Sequence, residues 1–142
     1  MRNTFIESFE FWDIHLHEKQ NYLGSIDLYL KRNENIDLAE ITKEEQTELF
    51  ELINKIKSIL KKEFQPDKFN YISSKNRNPK LRIHIIPRYK EDKEFNRVTF
   101  KDENWGKNYY PMNKFELDDN TFAKIKSKVF EAMKPFQKPQ DD

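Results

Sequence analysis

Two hydrophobic periods divide this chain. From Phe9 to Leu16 the apolar residues Phe9, Phe11, Ile14 and Leu16 interleave with polar ones, an imperfect alternation that predicts a half-buried strand. Tyr22-Leu23-Gly24 then opens a second alternating run in which Ile26, Leu28 and Leu30 share a face, with Gly24 placed to permit a bend or bulge. Only the short polar segment from Glu18 to Asn21 separates the runs. That makes them antiparallel neighbours, since a parallel pair needs a crossover of about a dozen residues or more. After a loop at Lys31 to Asp37, Thr42-x-x-Glu45 has capping-box spacing, and Leu49, Ile53, Ile56, Leu60 and Phe64 recur at helical steps before Pro66. The spacing predicts a long capped helix over about 42–64.

Beyond it, Phe69, Tyr71 and Ser73 alternate with Asn70, Ile72 and Ser74 as a third strand. The polar loop Lys75-Asn76-Arg77-Asn78-Pro79 leads into Lys80-Leu81-Arg82-Ile83-His84-Ile85-Ile86-Pro87-Arg88-Tyr89-Lys90. Phe95 to Phe100 and the aperiodic Trp105 to Pro111 follow, and the aromatics of the latter are expected to pin a long loop onto the body. Asp118 or Asp119 can cap a last helix over about 119–134 that carries Phe122, Ile125, Val129 and Met133 on one face. Together these elements predict an α+β fold with an antiparallel sheet.

Composition narrows the function without naming it. The 142 residues suit one domain, here expected to span 1–142, and 14% aromatic content supplies a core despite only 36% hydrophobic residues. A net charge of +1 conceals 26 basic and 25 acidic residues, so any anionic partner must be met by a local patch. No cysteine is present, which removes disulfides, thiolate metal sites and a cysteine nucleophile. The first residues lack the apolar core of a signal peptide, and no run approaches the roughly 20 apolar residues needed to span a bilayer. A cytoplasmic location and no membrane partner are expected.

The stretch from Lys80 carries the chemistry. Leu81, Ile83 and Ile85 fall on one side of a two-residue period, and Lys80, Arg82 and His84 on the other. Three cationic or titratable heads would lie roughly 6.5–7 Å apart along one face, a spacing suited to successive phosphate oxygens. Lys75, Arg77 and Arg88 would extend that patch. The plainer alternative is a solvated strand face for Lys80 and Arg82, and a structural histidine for His84. His15-x-His17 with His84 could be drawn as a metal site, but no acidic residue has a compelling spacing, so neither a metal nor a cofactor is expected. Two glycines cannot build a Walker loop or a Gly-x-Gly-x-x-Gly turn.

At these residues the chain resembles the histidine triad (HIT) family, whose signature strand carries His-x-His-x-His. Lys80 stands at the first histidine, Arg82 at the middle one and His84 at the third, while Ile85-Ile86-Pro87-Arg88-Tyr89 matches the usual continuation. The resemblance covers about Phe9 to Lys90, and residues 91–142 look like the carboxy-terminal extension of a bacterial subset. It implies a HIT-like sheet of about five strands, a homodimer, and a ligand among nucleotides, dinucleoside polyphosphates or nucleoside phosphoramidates. In the family the middle histidine is the nucleophile. Arg82, always protonated, can bind a phosphate but cannot form the covalent intermediate, so catalysis is expected to be impaired. His84 remains as a candidate catalytic group. Lys80, Arg82, His84, His17, Asn33 and Asn76 are the expected substrate-binding residues, with His17 near the place of a ribose-binding acid and Asn33 where a phosphate-side histidine often stands. An RNA-binding or protein-interaction module on the same scaffold is the alternative.

Overall fold

A computed structural model describes residues 2–32, 34–74 and 80–136. Five antiparallel strands form the main sheet: β1 (Phe5–Ser8), β2 (Trp12–Leu16), β3 (Ile26–Leu30), β4 (Lys68–Ser74) and β5 (Arg82–Arg88), in the order β1-β2-β3-β5-β4. Helix α1 (Lys43–Phe64) connects β3 to β4, a two-stranded ribbon of β6 (Lys93–Phe95) and β7 (Val98–Phe100) follows β5, and α2 (Asp119–Met133) with a short 3-10 turn at Lys134–Phe136 closes the described chain. This is the α+β arrangement expected from the sequence. No helix among the described residues is long and apolar enough to cross a membrane.

Alternation sets which face of the sheet is buried. Trp12, Ile14 and Leu16 on β2, Ile26, Leu28 and Leu30 on β3, and Ile83 and Ile85 on β5 all enter the core. The run from Phe9 is not one strand. Phe9 to Phe11 form the turn between β1 and β2, closed by the Phe9 N–H donating to the Trp12 carbonyl at 2.9 Å. That turn shifts the phase of the alternation, which is why odd-numbered Phe9 and Phe11 give way to even-numbered Ile14 and Leu16. Strand β1 was not expected, because its one buried residue, Ile6, cannot display a period.

Helix α1 begins as its capping box requires, with the Thr42 hydroxyl accepting from the Glu45 N–H at 3.1 Å and the Glu45 carboxylate accepting from the Thr42 N–H at 2.7 Å. It buries Leu49, Leu52, Ile56, Ile59, Leu60 and Phe64, each worth about 1.5–3 kcal/mol on full burial. The Glu48 carboxylate accepts from the Phe11 and Trp12 N–H groups, and Trp12 Nε1 donates to the Glu45 carbonyl, fixing the hairpin to the helix. Gly24, at φ +88°, turns the chain into β3. A Cβ there would come within 3.0 Å of Leu60 and Phe64, so the turn both needs the left-handed backbone and leaves α1 no room for a side chain. Asp118 caps α2 by accepting from the Thr121 N–H, and Phe122, Ile125, Val129 and Met133 are buried as the periodicity predicts.

Candidate functional site

Because the inward residues of β2, β3 and β5 form the core, their neighbours share the opposite face. There the strand register places His15 opposite Asp27 and Asp27 opposite His84, while Asp13, Tyr29 and Arg82 form the next row. His17 lies just past the end of β2 on the same side. Strand β4 adds Ser74 opposite Arg82.

Asp27 is the centre of this face. It is 4% exposed, yet its two oxygens are each engaged: Oδ2 accepts from His17 Nδ1 at 2.8 Å and Oδ1 from His84 Nδ1 at 2.6 Å. The two imidazole rings stand nearly perpendicular, 5.5 Å between centroids. Burial pushes the Asp27 carboxyl up, but the hydrogen bonds from His17 and His84 and their positive charge more than reverse it and hold it at about 2. The other nitrogen of His84, Nε2, lies 3.0 Å from Ser74 Oγ. Beside this group, His15 Nδ1 lies 2.9 Å from Thr4 Oγ1, and burial lowers its pKa against the opposing charges of Asp13 and Asp27.

Arg82 packs its guanidinium over the Tyr29 ring, 5.4 Å from the centroid, and donates to the Tyr29 hydroxyl at 3.1 Å. Its Nε is buried and has no hydrogen-bond partner among the described residues. Arg82 borders a cavity of about 530 Å³ whose lining also includes His15, His17, Lys19, Tyr29 and His84, with Tyr109 and Tyr110 forming another wall.

That second wall is held by the residue just past the signature strand's apolar pair and proline. Arg88, expected to extend the anion patch, is 4% exposed and bound in a bidentate pair with Asp102 at 2.7 and 3.1 Å. It also donates to Asn70 and to the carbonyls of Asn104 and Lys107. No donor is left to face a phosphate, because the guanidinium is consumed in docking the tail. Asn104 in turn donates to the carbonyls of Tyr109 and Pro111, and the Tyr22 hydroxyl donates to the Tyr109 carbonyl. The segment is pinned, but through its backbone carbonyls and not through burial of its aromatic rings, since Tyr110 is 62% exposed, and its pinning shapes the cavity.

Of the residues expected at the site, Arg82, His84 and His17 are brought together. Lys80 precedes β5, which begins at Arg82, and sits close enough to His15 to oppose its protonation. Asn33 and Asn76, with Lys75 and Arg77, lie outside the described residues. Asp27 was missed. Its signal in the sequence is a lone carboxylate at a polar position of the Ile26 to Leu30 alternation. Its two histidine partners come from β5 and from the residue just past β2, and their convergence follows from register.

No family model matches the sequence, and no curated protein does. Solved structures do match. A histidine triad protein from Marinobacter aquaeolei VT8 superposes with a TM-score of 0.76 at 17% identity, over 94% of this chain and 90% of that one. A histidine triad (HIT) protein from Sinorhizobium meliloti 1021 gives 0.74 at 19% identity, over 91% and 88%. A hypothetical histidine triad nucleotide-binding protein from Sulfolobus tokodaii gives 0.68 at 14% identity, over 96% and 87%. The chain has the histidine triad fold, as its signature residues implied.

Proposed function

We propose that this histidine triad fold binds a nucleotide or a related phosphate compound through Arg82, His84 and His17, and that it has lost covalent nucleotidyl transfer. The observation that carries this reading is that Arg82, Lys19, His17 and His84 line one cavity, and that Arg82 has a buried Nε without a partner among the described residues. The Arg82 guanidinium can give a phosphate oxygen a charge-assisted bond, and a rotation that brought Nε to the ligand would recover the cost of an unsatisfied buried donor, about 1–3 kcal/mol. Lys19 and His17 line the same cavity and add donors for neighbouring oxygens. The name of the Sulfolobus tokodaii neighbour, a nucleotide-binding protein, agrees with the reading.

The same side chain argues against the family's chemistry. A guanidinium at the nucleophile's position has no lone pair to offer phosphorus, so Arg82 holds charge and does not attack. His84 is fixed between Asp27 and Ser74, an arrangement that orients a ring but supplies no second histidine at position 82. The reading extends to a homodimer, which sedimentation would register as twice the 17.4 kDa chain.

A melting-temperature screen against adenine nucleotides, diadenosine polyphosphate and adenosine phosphoramidate tests the reading. A ligand at about 100 times its Kd stabilises by about 2.7 kcal/mol, a rise of several degrees for a domain of this size. No rise with any of them, together with salt-sensitive oligonucleotide binding, overturns it in favour of the RNA-binding alternative. Turnover abolished by His84→Ala would refute the loss of catalysis.

A further inference from the structure

We propose that His17, Asp27 and His84 form a binding site for a divalent transition-metal ion of the zinc class, with an open coordination position toward the cavity that Arg82 borders. One ligand atom from each of the three residues can be chosen so that all lie within 4.8 Å of one another. Two imidazoles and one carboxylate are the donor types such ions prefer, and three protein ligands with a free position is the pattern of reactive rather than closed structural zinc sites.

Accepting the ion takes a rearrangement of the three side chains. Zinc bonds of about 2.0–2.1 Å in a tetrahedral arrangement separate ligand atoms by about 3.3 Å. His17 Nδ1 and His84 Nδ1 lie 2.8 and 2.6 Å from different oxygens of Asp27, so an ion on one of those oxygens opens the contact it bridges by about 0.5–0.7 Å and draws ligand atoms that now lie up to 4.8 Å apart inward by up to about 1.5 Å, through ring and carboxylate rotation. Both histidines present Nδ1 to the carboxylate. The far nitrogen of His84 already has an outer partner, Ser74 Oγ at 3.0 Å, the kind of support that fixes a metal-bound imidazole. Gln20 donates to the carbonyls of His17 and Ser25 at 2.8 and 3.0 Å, holding the turn that carries His17. Asp27 is buried, which separates this group from the acidic clusters common on protein surfaces.

The site shares His17 and His84 with the nucleotide reading, and the two are tested separately. Chelator-treated full-length chain is titrated with Zn²⁺, and with Co²⁺ as a spectroscopic probe, in the absence of nucleotide. The expected result is one ion per chain. Asp27→Asn and His17→Gln should each weaken affinity by about 100-fold or more, since loss of outer-shell partners alone costs 10–100-fold. Glu91→Gln, which removes an exposed surface carboxylate, should not. His17 lies beyond the end of β2 and is partly exposed, so its variant is expected to keep the fold if Asp27→Asn does not, with circular dichroism as the check. Absence of stoichiometric binding, or equal affinity in parent and both variants, overturns the proposal and leaves a hydrogen-bond cluster only. A nucleotide-induced rise in melting temperature of the metal-free chain would then still support the proposed function, and stoichiometric zinc without any such rise would support the metal site alone.

Discussion

Replacing Arg82 by methionine separates binding from stability, because the structure gives the two effects opposite signs. The guanidinium donates to Tyr29 and stacks on its ring, worth about 0.5–1.5 and 0.5–1 kcal/mol respectively. It also carries a buried Nε without a partner, a penalty of about 1–3 kcal/mol that the substitution removes. These terms nearly cancel. The ligand-free Arg82→Met protein should therefore melt within about 2–5 °C of the parent, the shift that about 1 kcal/mol produces in a domain of this length. Binding has no such offset. Hydrogen bonds from a charged group to phosphate contribute about 1.5–3 kcal/mol, so calorimetric affinity for diadenosine polyphosphate should fall about 10–150-fold. Arg82→Lys, which retains the charge but not the fork of donors, should fall between. Unchanged affinity in Arg82→Met would refute the placement of phosphate at this residue, and a large loss of ligand-free stability would refute the reading of Nε as an unsatisfied group.

The Arg88–Asp102 pair should behave in the opposite way, since both partners are buried and satisfied. Arg88→Met strands the Asp102 carboxylate and should cost about 3–5 kcal/mol in denaturant unfolding, with a partial recovery in Arg88→Met/Asp102→Leu; equal stability of single and double variants would count against an ion-pair role. Acid sensitivity should trace in part to Glu45. Burial pushes its carboxyl up, but the bonds it accepts from Arg32 and the Thr42 N–H hold it below the usual carboxylate range. A folded pKa depressed in this way lends stability that is full above the ordinary Glu value of about 4.3 and is lost as pH falls below it. Glu45→Gln keeps the capping geometry, so its stability should decline less steeply on acidification than the parent's, as followed by thermal melts across that range.

Much of the fold could be read along the chain because its cause is local. Capping at Thr42 and Asp118 and the stripes of α1 and α2 depend on neighbours within one or two turns. The alternation of β3 and β5 likewise identified the faces of Ile26 to Leu30 and Leu81 to Ile85. The signature from Arg82 to Tyr89 led to the histidine triad fold and to an arginine where a nucleophile would stand. The hairpin of β1 and β2 was less legible, because a turn inside the apolar run shifts the period.

What the sequence could not supply is register and docking. Asp27, His17 and His84 are unremarkable one at a time. They form a site because β3 lies between β2 and β5 with Asp27 opposite His84, an alignment set by the packing of side chains on the other face of the sheet. Arg88 looked like one more basic residue beside the signature strand. Tertiary structure turned it inward onto Asp102, where it holds the tail that walls the cavity. The chain by itself determined which residues could bind an anion. Only the fold decided which of them remain available, since a buried cation goes to the partners that long-range packing places beside it.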